Sequence, residues 1–205
     1  MAKLNITYSH EKEIFIVNKH KEELRKKGEA VTDVSSPGDE QKVSGSLRKL
    51  SSKWEKKEAH FIKQLNWFYD CDFKIDGWTA YMIRFPICPY WTPEKWFAVS
   101  FNPVPKAFKT IGHELFHQPF HLFWEEKCKK LLQKGTFSAG MVDSMVYSLK
   151  EALPELLNMP EFNLSDIRDV GHPEPGEQIV RYMLRRFYKV RGVFTFKEFL
   201  ERTFG

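Results

Sequence analysis

Apolar residues at helical spacing fill most of this chain, and a short aromatic, β-rich tract interrupts them near the middle. Residues 10–30 hold Ile14, Val17 and Leu24 among many charges, which predicts a solvated helix. Val31 to Gly45, with Ser35-Ser36-Pro37-Gly38-Asp39, reads as a loop or linker. From Ser46 to Tyr69 the residues Leu47, Leu50, Trp54, Phe61, Leu65 and Phe68 recur at helical steps and predict a backing helix with one buried stripe. The period changes at Phe73. Trp78 to Phe85 and Trp96 to Phe101 read as strands, and Asp76-Gly77 before the first is a hairpin turn signal. Pro86, Pro89 and Pro93 break the chain between them, and Pro103 and Pro105 end the second strand. That strand is expected to offer an edge on which an extended peptide can pair.

A helix follows through residue 113. Pro119 leaves the carbonyl of Leu115 without its usual partner, so a kink or break is expected there, with helix resuming from about Phe120 to Leu132 and stopping at Gly135. Ser138 to Asn158 is the next helix, with Met141, Met145, Leu149, Leu153 and Leu156 as its apolar stripe and a bend at Pro154. Asn163 to Gly176 reads as a loop that carries His172. Glu177 to Val190 is a periodic helix through Ile179, Tyr182, Met183 and Phe187, and Phe194 to Phe204 closes the chain.

Composition narrows the class. The chain has 205 residues, 42% of them hydrophobic, with 18 Phe, 7 Tyr and 6 Trp, enough for a substantial folded core. No run approaches the ~18 apolar residues of a membrane span, and the first residues lack the apolar segment of a secretory signal. Cys71, Cys88 and Cys128 are odd in number and not in C-x-x-C spacing, so thiols in a reducing, cytoplasmic setting are expected. The net charge of +5 is uneven, with +3 in residues 1–60 and +4 in residues 176–205. Arg181, Arg185, Arg186, Lys189 and Arg191, interleaved with Tyr182, Phe187 and Tyr188, would suit a nucleic-acid footprint. A charge run of this size is usually a solvated face, so nucleic acid is not the expected partner.

The chemistry centres on His113-Glu114-Leu115-Phe116-His117, an H-E-x-x-H pattern. A spacing of four puts both imidazoles on one helix face, within reach of one ion at the ~2.0–2.1 Å of zinc–nitrogen bonds. Glu114 is offset by about 100°, beside the metal and not on it, where a general base must stand to take a proton from water. A catalytic zinc wants a third protein ligand and one open position. His121 continues the series of fours, but in an unbroken helix its Cα is about 12 Å along the axis from that of His113. That is too far for three bonds to one ion.

With the downstream stretch Leu149-Lys150-Glu151-Ala152-Leu153-Pro154-Glu155, the pattern resembles the gluzincin class of zinc metallopeptidases. Thermolysin-like members carry Asn-Glu-Ala on a following helix, with a further carboxylate four residues after the ligand glutamate. Over about residues 96–158 the resemblance implies Glu151 as the third zinc ligand and Glu155 as the carboxylate that orients His113. Lys150 stands where that class has Asn, and Glu155 where Asp is usual. The class often places a His or Tyr from the C-terminal part against the oxyanion; His172 would fill that role here, with Tyr182 and Tyr188 as alternatives. The implied fold is α+β and zincin-like, a small mixed or antiparallel sheet packed on a backing helix, an active-site helix and a glutamate helix, with further N- and C-terminal helices. Residues 1–45 would be an extension and 46–205 one catalytic domain. The implied function is a zinc-dependent peptidase acting on a peptide or protein, with Glu114 as base. Three other readings remain: an inactive zinc-binding or interaction module on the same scaffold, a nucleic-acid binder, and a hydrolase of non-peptide amides.

Overall fold

Trp96, Phe97, Ala98 and Val99 are buried one after another, the pattern of a strand covered on both faces. The computed structural model describes residues 3–26, 28, 40–100, 103–135, 137–162 and 174–204, and it places this segment inside a mixed sheet. Contacts group the chain into two units, Met1–Ala59 with Lys74–Glu114, and His60–Phe73 with Leu115–Gly205. The fold is α+β and mostly helical.

The first unit holds the sheet. Strands β1 (Asn5–Thr7), β2 (Thr79–Ile83), β3 (Tyr90–Trp91) and β4 (Trp96–Ser100) lie in the order β1-β2-β4-β3. β1, β2 and β4 run parallel, and the short β3 is antiparallel to β4. Two expectations are corrected here. Asp76-Gly77 does not close a hairpin; Gly77 adopts φ 78° in a turn that leads into β2, which pairs with parallel neighbours. Nor does β4 offer the expected edge, because β2 flanks it from Trp96 to Ser100 and β3 from Trp96 to Phe97, with the Ala98 N–H bonded to the Pro89 carbonyl at 2.8 Å.

Helices α1 (His10–Lys19) and α2 (Lys21–Lys26) break at His20 and bury Ile16, Val17 and Leu24 against Ile83, Ile87, Trp96 and Ala98. Ser9 caps α1 by accepting from the Lys12 N–H at 3.2 Å. Glu13 is fully buried, and its carboxylate accepts from Tyr8 Oη and from the Arg84 backbone and guanidinium. Such a buried charge is held only where its acceptors are met. α3 (Glu40–Glu55) starts earlier than expected, so the boundary anticipated at residue 45 falls inside a helix; residues 31–39 lie outside the described residues. The single helix expected from Ser46 to Tyr69 is two, α3 and α4 (Glu58–Tyr69), yet Leu50, Trp54, Phe61, Leu65 and Phe68 are all buried as the spacing predicts.

α5 (Val104–Pro119) carries the H-E-x-x-H pattern. Its first turn closes with the Ala107 N–H bonded to the Pro103 carbonyl at 3.1 Å, and Pro105 sits where a missing N–H costs little. In the first unit Phe108 packs edge-on against Trp54, ring centroids 5.8 Å apart.

The second unit is helical, around an aromatic core of Phe61, Phe68, Tyr69, Phe116, Phe120, Trp124, Phe162 and Phe196. Pro119 does not break the helix. The chain passes into a π-helical turn (Phe120–Trp124) and on into α6 (Glu125–Leu132), with the Glu125 N–H reaching back five residues to the Phe120 carbonyl. Tyr69 secures this junction: its hydroxyl donates to the Phe116 carbonyl at 3.0 Å, and its own carbonyl accepts from the Trp124 indole at 2.7 Å. Burial pushes the Tyr69 phenol well above its usual value, so it stays a donor.

α7 (Ala139–Ala152), capped by Ser138, is followed by a 3₁₀ helix (Leu153–Asn158). The change comes at Pro154, whose missing N–H cannot continue the α-helical ladder. The buried face of α7 is Val142, Val146 and Leu149; Met141, expected inside, is 53% exposed. α8 (Pro175–Arg191) likewise turns a different face inward, Glu177, Val180, Arg181 and Leu184, leaving Ile179 and Tyr182 outside. The buried polar pair at Glu177 and Arg181 hid that face from a reading based on apolar spacing. α9 (Phe196–Phe204) begins at a capping box in which the Thr195 N–H donates to Glu198 and the Glu198 N–H to the Thr195 hydroxyl.

Candidate metal centre

On α5 the four-residue spacing does what helix geometry requires, stacking His113 above His117 on one face. His113 is half-buried and His117 is 2% exposed. From α7 comes Glu151, 8% exposed, with its Oε2 3.7 Å from the Nε2 of His117. Donor atoms of His113, His117 and Glu151 all lie within 4.8 Å of one another, a group able to hold a metal ion.

The fit can be put in numbers. Two bonds of ~2.0–2.1 Å at a tetrahedral angle separate their donor atoms by about 3.3 Å. The His117–Glu151 separation is a few tenths of an ångström longer than that, and the other separations in the group are bounded by 4.8 Å. Two imidazoles and one carboxylate form a donor set suited to a borderline divalent ion.

Glu114 follows His113 on α5 and is 5% exposed, and the neighbouring Gln118 is fully buried. His121 is not a member of the group. It sits in the π-helical turn with its Nδ1 2.7 Å from Glu125 Oε2, and Glu125 Oε1 also takes Lys129 at 3.0 Å. Burial alone would raise the Glu125 carboxyl, but His121 and Lys129 outweigh it and hold it below its ordinary value.

Glu155 departs from the role the resemblance implied. Its carboxylate bonds the guanidinium of Arg181, and Arg185 at 3.4 Å, in place of an imidazole. Arg181 in turn donates to Glu177 at 2.7 Å, so one guanidinium with 1% exposure bridges two buried carboxylates. This also removes Arg181 from the basic strip considered for nucleic acid. His172 lies outside the described residues. Tyr182 is 58% exposed, and the Tyr188 hydroxyl is bonded to the Glu161 carboxylate at 3.2 Å.

Two residues beside Glu151 make contacts that the sequence reading did not anticipate. Lys150 is buried, and its ammonium lies 2.7 Å from Glu151 Oε1. Tyr147, one turn before Glu151 on the same face of α7, is 49% exposed, and its phenol is raised first by partial desolvation and then by the charge of Glu151. Its i, i+4 relation to Glu151 was a usable signal; Lys150 offered none, because adjacent helical residues diverge.

All three cysteines are thiols, and burial pushes Cys128 up to about 12. Among the described residues no helix is long and apolar enough to cross a membrane. The chain matches no family model, no curated protein and no solved structure.

Proposed function

We propose that this protein is a zinc-dependent peptidase, in which His113, His117 and Glu151 hold the ion and Glu114 is the general base. The observation that carries the reading is the convergence of a buried glutamate from a second helix on an H-E-x-x-H pair. Three protein donors leave a fourth position open, the arrangement of catalytic and not of closed structural zinc sites. When bound, zinc supplies Lewis acidity, acidifying water toward a pKa of ~7 and polarising the scissile carbonyl.

The chain's own residues do the rest. His113 and His117 present their imidazoles from adjacent turns of one helix. Glu114, next to His113 but turned about 100° away, accepts the proton of the attacking water and passes it to the departing amine. Low exposure of Glu114 and His117 excludes bulk water, which strengthens each charge interaction at the reacting carbonyl.

The test pairs metal analysis with peptide cleavage. Native protein is expected to carry about one zinc per chain and to cut a mixed peptide library, while Glu114→Gln keeps the metal and loses turnover. Metal retained with no cleavage in the native protein would instead indicate a binding module on this scaffold. A folded native protein that takes up no metal would end both readings.

A further inference from the structure

We infer that Lys150 is a positioning residue that restricts Glu151 to one-oxygen coordination and so keeps a position open at the metal. This inference rests on the metal centre proposed above. The two oxygens of Glu151 have different neighbours: Oε1 meets the Lys150 ammonium at 2.7 Å, and Oε2 faces His117 Nε2 at 3.7 Å. A carboxylate with both oxygens available can chelate one ion through both. Here one oxygen accepts a charge-assisted hydrogen bond, and the other faces the His117 ring.

The contact is not the chance meeting of two surface charges. Lys150 and Glu151 are each only 8% exposed, and an ammonium this far from water is retained where a partner compensates its lost hydration. Side chains of consecutive helical residues diverge by about 100°, so a 2.7 Å contact between them is not a default of the helix. The ring of Tyr147, three residues earlier, holds the lysine there, with the ammonium 4.9 Å from the ring centroid. Hydrogen-bond partners of this kind, behind the ligand, fix its orientation at metal sites. Tyr147, Lys150 and Glu151 thus form one unit on α7, and the lysine decides how many atoms the glutamate gives.

Coordination number is the direct readout. The native protein, Lys150→Met and Lys150→Arg would each be titrated with cobalt(II), which reports its geometry in the visible spectrum. Native protein is expected to show the intense bands of four-coordinate cobalt. Lys150→Met, of similar length but unable to donate, frees Oε1; its absorption should fall several-fold as the ion becomes five-coordinate. Lys150→Arg keeps a donor and should retain the native spectrum. If the Met variant does not fold, Lys150→Ala gives the same reading. Identical spectra for native and neutral variants, or five-coordinate cobalt in the native protein, would overturn the role of Lys150 while leaving the metal centre standing. No cobalt uptake by native protein would remove the centre itself, and the inference with it.

Discussion

Glu155 and Arg181 form a buried ion pair that ties the 3₁₀ turn after Glu151 to α8. The pair has two consequences, one for stability and one for the centre. Arg181 pairs with Glu155 and Glu177 together, so its loss takes a guanidinium from two buried carboxylates, with Arg185 at 3.4 Å still beside Glu155. The turn it holds begins at Leu153, two residues beyond Glu151.

Arg181→Met should therefore destabilise the protein by about 3–5 kcal/mol, the usual effect of breaking a buried pair by removing one partner. Equilibrium unfolding in urea measures this. Replacing all three residues with apolar ones, Glu155→Met, Glu177→Leu and Arg181→Met, should recover much of the loss, since no uncompensated charge then remains. If the single variant were as stable as the triple variant, the network would hold nothing.

Metal binding should appear as stability. A ligand that binds only the folded state adds about 2.7 kcal/mol at a hundred times its dissociation constant. Melting of the chelator-treated protein should shift upward when zinc is restored. The shift should be lost or strongly reduced in His117→Ala and Glu151→Ala, and kept in His121→Ala, whose imidazole is paired with Glu125 outside the group. Equal shifts in native protein and Glu151→Ala would exclude α7 from the centre.

The helical pattern located α5 and α7 and the buried residues of α3 and α4, because those faces are apolar at regular steps. Leu149, Leu153 and Leu156 are buried as expected, and the pattern erred at Met141 and on α8 for opposite reasons. Met141 is apolar and outside, whereas Glu177 and Arg181 are charged and inside because they neutralise each other. The sheet is mixed, one of the two forms the resemblance implied, but which strands pair in parallel was not legible, because parallel pairing joins segments far apart in the chain, here Asn5–Thr7 with Thr79–Tyr81. The paired histidines could be read from spacing on a single helix. The carboxylate required a resemblance, since which glutamate approaches α5 depends on helix packing. The resemblance gave Glu151, which joins the group, and cast Glu155 as a partner of His113, where the structure gives it Arg181.

Tyr69→Phe should separate packing from hydrogen bonding at the π-helical turn. The ring contacts with Phe116 and Phe196 survive, but the Phe116 carbonyl loses its hydroxyl donor. A cost of about 1 kcal/mol is expected in urea unfolding, the net worth of a buried hydrogen bond. Because Phe116 immediately precedes His117, zinc affinity measured against a chromophoric chelator should fall as well. An unchanged affinity would show that the turn's register does not reach the histidine.

Alkaline pH should weaken the fold through Cys128. An unfolded thiol ionises near ~8.5, whereas burial raises this one to about 12 in the folded protein. Below the unfolded value both states hold the proton and the full stability is present. Above it the unfolded chain releases the proton and the folded chain keeps it. The folded state then binds more protons, and stability falls by up to about 1.4 kcal/mol per pH unit until the folded thiol also ionises. Cys128→Ala removes this dependence, and its own packing cost does not vary with pH. The stability difference between native protein and Cys128→Ala should narrow by roughly 2 kcal/mol between about pH 8 and pH 10.5. Tyr69, raised first by burial and then by Cys128, is present in both proteins, and the larger cause, burial, is the same in each. A difference that stays constant across that range would mean the folded thiol ionises as readily as an exposed one.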